Sequence, residues 1–451
     1  MRPEGKVAAG SGGLATVAGM QHIRLLAAGL LCTAALASAQ TPKPTNYDES
    51  KVGNHPLPDP LKFADGTKVA DAKAWQAKRR GEIFSLFETQ VYGRSPARPA
   101  NLTFEITKAD AQALGGKATR KEVAIYLTGK KDGPPLDLLV FTPNGARGPV
   151  PAFLGCNFNG NHAVHADPNI TINPRWMRNT PDKKSVVNNR ATEVSRGTEA
   201  GRWQVEMVIA RGYALATYYY GDVEPDHAEG WKEGLRAALA ADGARTQHAP
   251  EAWGAIGAWA WGLSRALDYL EKDKAVDAKR VAVIGHSRLG KTSLWAGASD
   301  ERFAMVISNN SGEGGAAISR RDYGETVAVL NKNFPHWFCG NYKQYSEAPE
   351  KLPVDMHQLV ALAAPRPIYI ASAEEDRWAD PKGEFLAGKF AEPVYALFGK
   401  QGTTVAEWPA VDRPVGDFIG YHVRTGKHDV LAYDWEQYLK FADRHFARAG
   451  K

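Results

Sequence analysis

The sequence predicts an α/β fold, a three-layer sandwich whose central sheet is mostly parallel and is led into by antiparallel N-terminal strands. Three observations carry this. LTFEITK from Leu102, KEVAIYLTG from Lys121 and LDLLVFTP from Leu136 are strand-like runs divided by turn signals, the pattern of an antiparallel meander. From Val150 onward the grammar changes to apolar strands with helical stretches between most of them, which is βαβ order. One of those strands, VAVIG from Val281, runs through HSRLGKTSLW directly into a helical pattern and leaves Ser287 at the turn.

In chain order, residues 1–39 read as an export leader, with Met20 as an alternative start. A short basic segment precedes an apolar run from Leu25 to Leu36, and Ala37-Ser38-Ala39 forms an A-x-A cleavage signal before Gln40. The run is too short for a membrane span, and no later stretch reaches the roughly 20 apolar residues that one requires. The protein is therefore expected to be secreted or periplasmic. Residues 40–50 are polar, carry two prolines and read as a short tether; residues 51–451 read as a single catalytic domain. After the meander come VPAFLGCNF from Val150, YALATYYYG from Tyr213, VAVIG, FAMVISNN from Phe303, RPIYIASAEED from Arg366 and FIGYHV from Phe418. A helix is expected over Ala252–Lys272, with Trp253, Trp259 and Trp261 on its faces, and the amphipathic WEQYLKFADRHFARAG closes the chain.

With 451 residues, 43% of them apolar, and twelve tryptophans, the chain can bury a large core. The net charge of +6 is modest and no Lys/Arg run exceeds three residues, so nucleic-acid binding has little support. Of three cysteines, Cys32 lies in the leader. Cys156 and Cys339 are too few for a disulfide framework, and whether they pair stays open.

Strand, sharp turn and helix around Ser287 have the outline of a nucleophile elbow, the α/β-hydrolase device for exposing a serine. Gly285 permits the turn, but Leu289 stands where the G-x-S-x-G pattern has its last glycine, and Gly290 comes one place later. Taken alone, the segment is equally an ordinary α/β turn whose serine caps a helix. A serine hydroxyl needs a base to take its proton, and the base needs an acid to fix its tautomer; the chain order expected is Ser, acid, His. His428, in RTGKHDV, lies between FIGYHV and the closing helix, where this plan keeps its base. His422 is the rival, but it sits inside the strand pattern, where a packed histidine is commoner. For the acid, Glu374, Glu375 and Asp376 end the run from Arg366, at the strand edge where parallel sheets keep their chemistry. Asp376 is preferred and Glu375 second, because the last of the run reaches furthest toward the histidine. Asp429, next to His428, is expected to point elsewhere.

GHSRLGK, SNNSGEGGAAISRRDYGET from Ser308, PHWFC from Pro335 and EEDRWADP from Glu374 together resemble bacterial glucuronoyl esterases of carbohydrate esterase family 15, across Asn46 to Phe446. The G-x-S-R-x-G-K elbow is far more specific than a bare G-x-S. The resemblance implies a secreted serine esterase of the 4-O-methyl-glucuronoyl methylesterase type. It would hydrolyse esters of (4-O-methyl-)glucuronic acid in glucuronoxylan with lignin alcohols, through an acyl-enzyme and without metal or cofactor. It makes Ser287 the nucleophile and His428 the base. Arg288 would stabilise the oxyanion through its backbone N–H and its guanidinium, since charge develops on the ester oxygen. Lys291 corresponds to a lysine that holds sugar hydroxyls, and Glu325 and Trp378 to residues lining the uronate pocket. One departure stands out: fungal members and some bacterial ones carry the acid just before Ser-Gly, where this chain has Asn310. An asparagine cannot stabilise an imidazolium as a carboxylate does, so the acid falls to Asp376, with Glu313 ranked well below it. Two other readings remain. An acetyl or feruloyl xylan esterase would share the triad without the Arg, Lys, Glu and Trp set, and a non-catalytic carbohydrate-binding protein would keep the fold alone. The expected partner is the polysaccharide ester, with no nucleic acid and no membrane span, and the chain is expected to act as a monomer.

Overall fold

The computed structural model describes residues 44–447 apart from 54–55, 132, 134 and 241–248, so the leader expected over 1–39 lies outside the described residues. The strand-like runs become β1 (Thr103–Gln112), β2 (Ala118–Tyr126), β3 (Leu136–Pro143), β4 (Val150–Asn157), β5 (Ala214–Tyr219), β6 (Val276–His286), β7 (Met305–Asn309), β8 (Ile368–Ala373) and β9 (Ile419–Arg424). They form one sheet in the order β1-β2-β3-β5-β4-β6-β7-β8-β9. The pairs from β1 through β3 to β5 are antiparallel, and all pairs from β5 onward are parallel. This is the architecture expected from the sequence, a large mostly parallel sheet of the α/β-hydrolase type with antiparallel N-terminal strands.

Period-two alternation divides the central strands between two layers. Ala152, Leu154, Val281, Val283, Val306, Ile368 and Ile370 belong to the core cluster that includes α1 (Ala255–Leu270), α2 (Arg288–Ser299) and α3 (Pro381–Leu397). Phe153, Ala282, Ile284, Met305, Ile307, Tyr369 and Ala371 belong to the cluster formed with Val205–Ala210 and α4 (Ala432–Phe446). Two of the enclosed indoles satisfy their N–H groups on carbonyls: Trp259 donates to Glu224 at 2.9 Å and Trp435 to Arg202 at 2.7 Å. α4 starts earlier than its apolar pattern, since the Asp434 carboxylate accepts the Leu431 N–H at 2.7 Å and caps the first turn.

Parallel register sets the site. His286 stands opposite Asn309, and Asn309 opposite Ala371. The residues that follow these three strands, Ser287, Asn310 and the 374–376 turn, therefore emerge along one carboxyl edge.

The end of the expected tether is docked on the domain. Asn46 O accepts the Gly324 N–H at 2.9 Å, Tyr47 O accepts from Arg377, and Glu49 pairs with Arg321 at 2.5 Å and Lys382 at 3.0 Å. A polar, proline-bearing segment reads as solvated when its ion partners lie hundreds of residues away. Among the described residues no helix is long and apolar enough to cross a membrane.

Candidate active site

Ser287 sits between β6 and α2 at φ 58°, ψ −130°, donates its backbone N–H to Asn309 O at 2.9 Å and makes no side-chain cap bond to α2. Holding a non-glycine residue there stores strain of order 1–3 kcal/mol. The turn is tight enough that a Cβ on Gly285 would lie 1.8 Å from the Leu289 carbonyl oxygen. It also accounts for the displaced glycine. Leu289 is buried in the helical layer, whereas a Cβ at Gly290 would lie 3.0 Å from Ser311 Cβ and 3.1 Å from Asn309 O, so close approach to the neighbouring strand falls one residue later than usual.

His428 Nδ1–H donates to Asp376 Oδ2 at 2.5 Å. The carboxylate is buried and the imidazole is 39% exposed, so one edge of the ring is held while the rest meets the cleft. Glu374 and Glu375 point outward, and their N–H groups donate to Arg424 O and Gly426 O at 2.9 and 3.0 Å, joining the acid turn to the histidine loop. Arg424 braces that loop from below: its guanidinium donates to the carbonyls of Thr425, Lys427 and Asp429 and to Asp434. The rival His422 is fully enclosed, accepting from Tyr369 O–H and donating to Asp434, both at 2.9 Å. Asp429 turns away and pairs with Arg202 at 2.5 Å.

The elbow and the histidine loop meet at His286, whose ring centroid lies 4.5 Å from that of His428. Burial first, then the charges of His428 and Arg202, hold the His286 pKa well below its ordinary value, so it is neutral. Its Nδ1–H donates to Asn309 Oδ1 at 2.6 Å, and Asn309 Nδ2 donates to the Tyr438 hydroxyl at 2.8 Å. Asn310, at φ 45°, buries both polar atoms of its amide with no hydrogen-bond partner in the protein.

Arg288 extends from the first position of α2. Its Nη1 pairs with Asp226 Oδ2, and its guanidinium carbon lies 4.9 Å from the Trp337 ring centroid, while Nε is buried without a partner. Lys291, Glu325 and Trp378, far apart in sequence, are brought together. Lys291 Nζ donates to Glu325 Oε2 at 2.7 Å and to the carbonyls of Ser311 and Glu313 at 2.6 Å each. Trp378, 37% exposed, donates its indole N–H to Glu325 Oε1 at 3.2 Å. Lys291, expected to meet sugar hydroxyls directly, is thus buried with all three donors occupied, because its helix faces the 311–313 turn. The Glu313 carboxylate accepts from Ser319 and Tyr342 hydroxyls at 2.7 Å, remote from the His428 pairing. Cys156 and Cys339 are buried free thiols.

The family model for fungal glucuronyl esterase matches residues 246–399. A carbohydrate esterase, MZ0003, from an unknown prokaryotic organism is 51% identical over 406 residues, 90% of this chain and 93% of that protein. Among solved structures, the glucuronoyl esterase from Solibacter usitatus superposes with a TM-score of 0.83 at 53% identity, covering 88% of this chain and 100% of the other. The chain belongs to the glucuronoyl esterases of carbohydrate esterase family 15. As a member it is a carboxylic ester hydrolase of glucuronic acid esters. A promiscuous family 15 esterase from a marine bacterial metagenome is a further neighbour, with a TM-score of 0.83 at 50% identity over 89% of this chain and 100% of that one.

Sequence reasoning overlooked three groups in this esterase. Asp226, in a stretch without pattern, gathers Arg288, His336 and Trp337; Asn309 links the elbow to α4; Arg424 holds the histidine loop. Only the PHWFC run offered a local signal, and it named two of Asp226's partners rather than Asp226 itself.

Proposed function

We propose that Ser287 attacks the carbonyl carbon of a glucuronoyl ester while His428 takes its proton, with Asp376 holding the imidazole tautomer and stabilising the imidazolium. The observation that carries this is the 2.5 Å His428–Asp376 hydrogen bond in a loop whose histidine ring lies against His286, the residue before Ser287. The tetrahedral oxyanion is met by the Arg288 backbone N–H and by its guanidinium, whose Nε has no protein partner to give up. Collapse of the intermediate expels the alcohol, protonated by His428, and leaves an acyl-enzyme; water, deprotonated by His428, releases the uronic acid. Glu325 and the half-exposed Trp378 line the uronate side, and Lys291 fixes the Glu325 carboxylate.

The substrate on this reading is a (4-O-methyl-)glucuronic acid ester that joins glucuronoxylan to a lignin alcohol. The catalytic unit is a single domain acting as a monomer outside the cytoplasm, a placement supported by the apolar leader. A second reading, broader activity on simple esters, is favoured by the neighbour described as promiscuous. The test is kcat/KM for benzyl glucuronate, its galacturonate epimer and an aryl acetate. The proposal expects glucuronate to lead clearly; equal values on the aryl acetate would move the assignment to a general or acetyl esterase.

A further inference from the structure

Asp226 is a carboxylate that the hydrolytic scheme leaves unused, and it is completely enclosed. Arg288 Nη1 and the Tyr220 hydroxyl, at 3.2 Å, meet Oδ2; His336 Nε2 and the Trp337 indole N–H, each at 2.8 Å, meet Oδ1. Arg178 donates to its backbone carbonyl at 3.1 Å and approaches Oδ2 at 3.8 Å. Burial opposes the charge, yet the His336 bond, the Arg288 guanidinium and the Trp337 bond together hold the carboxyl well below the usual carboxylate range. It is therefore a fixed anion at neutral pH.

The consequence falls on Arg288. An arginine side chain carries about 2 kcal/mol of rotamer entropy. Here the guanidinium is gripped at Nη1 by Asp226 and bounded by three rings, with centroids at 4.9 Å (Trp337), 5.7 Å (Phe334) and 5.8 Å (Phe158). A donor held in place before charge develops needs no reorganisation when the oxyanion forms.

We infer that Asp226 is a positioning residue for ester hydrolysis: through its ion pair it presets the Arg288 guanidinium beside Ser287 with Nε left free for the developing oxyanion. This rests on the reading of Arg288 as an oxyanion donor. His336 and Trp337 belong to the same device, since they saturate the carboxylate oxygen that Arg288 does not use. Asp226 itself bonds neither Glu325 nor Trp378, and the device meets the uronate side only through Lys291 Nζ, 6.0 Å from the Trp337 ring centroid, and the attraction between Arg288 and Glu325, so it acts chiefly on turnover rather than on ground-state binding.

The experiment is a double-mutant cycle read as kcat and KM on benzyl glucuronate and on an aryl acetate, with circular dichroism and Tm for each variant. Removing one oxyanion donor costs about 10²–10³ in kcat, so loosening it is expected to cost roughly 10- to 100-fold. Asp226→Asn should show that loss on both esters with KM within about twofold of wild type, and it should cost little more when Arg288 is already alanine. Full additivity of Asp226→Asn with Arg288→Ala, or a loss expressed in KM, would overturn the inference. A severe Arg288→Ala beside a fully active Asp226→Asn overturns it while leaving the oxyanion reading intact; an undiminished kcat in Arg288→Ala overturns that reading first. If Asp226→Asn does not fold, Trp337→Phe serves, because it keeps an aromatic face and deletes only the N–H to Oδ1. A several-fold drop in kcat, non-additive with Arg288→Ala, is then expected, and wild-type kcat refutes the device.

Discussion

The 2.5 Å contact between His428 and Asp376 makes the acid the residue whose removal separates the present assignment from its rivals. Asp376→Asn is expected to lower kcat by about 10⁴, as when the tautomer-fixing carboxylate is lost in the serine protease template. Asn310→Ala should cost far less, because its amide makes no hydrogen bond in the protein; a steady-state comparison of the two variants decides, and a reversed order would move the acid. Ser287→Ala and His428→Ala should each leave a folded protein without measurable turnover on benzyl glucuronate. Lys291 belongs to another class. Its ammonium is buried against Glu325, and removing one partner of a buried pair leaves an uncompensated charge, so Lys291→Met should destabilise by about 3–5 kcal/mol. Denaturant titration measures that loss. The surviving activity should fall more on glucuronate esters than on an aryl acetate, since Glu325 loses its anchor.

At the scale of elements, the elbow is the part most sensitive to a single methyl group. Gly285→Ala would drive a Cβ to 1.8 Å from the backbone oxygen of Leu289, a clash that no side-chain rotation relieves, so the variant is expected to unfold or lose the turn. Gly290→Ala, with contacts at 3.0–3.1 Å, should remain folded with reduced stability. Urea unfolding of the two variants checks the ranking. These elements also show what a sequence can reveal. Buried parallel strands announce themselves as apolar runs, and a strand feeding a helix through Gly285 and Ser287 is a local pattern, so β4 to β9, the elbow, His428 and the 374–376 turn were all legible. What was hidden is long-range polar pairing. Neither the Glu49–Arg321 pair nor the ring of donors around Asp226 has any local signature, and the choice of Asp376 over Glu375 depends on which carboxylate the Gly426 contact turns inward. The same limit explains Lys291: the resemblance assigned it to sugar hydroxyls but could not tell that two carbonyls and a carboxylate already wait there.

For the whole molecule, pH acts through groups the chemistry never touches. Burial, only partly offset by the Ser319 and Tyr342 hydroxyls, pushes the Glu313 carboxyl from 4.5 up to about 8. The folded protein therefore holds this proton where the unfolded chain releases it. The resulting stabilisation is complete below about pH 4.5, declines through the window up to about pH 8 and is lost above it, with a slope of at most about 1.4 kcal/mol per pH unit. Glu384 is raised by burial from 4.5 to about 8 as well, so Glu313→Gln should remove its own share of the slope rather than all of it, as urea titrations of both proteins between pH 5 and 8 would reveal. Deleting residues 1–50 tests the docked N-terminal segment. The pairs of the partly exposed Glu49 are each worth under about 1 kcal/mol, so Tm should drop only a few degrees, while KM for glucuronate esters rises as Gly324 and Arg377 lose their braces beside Glu325 and Trp378.

That docking has a consequence for biosynthesis. Tyr47 leaves the ribosome 330 residues ahead of Arg377, the side chain that will grip its carbonyl. The rim beside Trp378 therefore cannot close until nearly the whole polypeptide has emerged. On the proposed triad, a nascent chain arrested before residue 376 would carry the nucleophile but neither acid nor base nor a finished mouth to the cleft, so the ability to cut an ester would arise only at the end of translation.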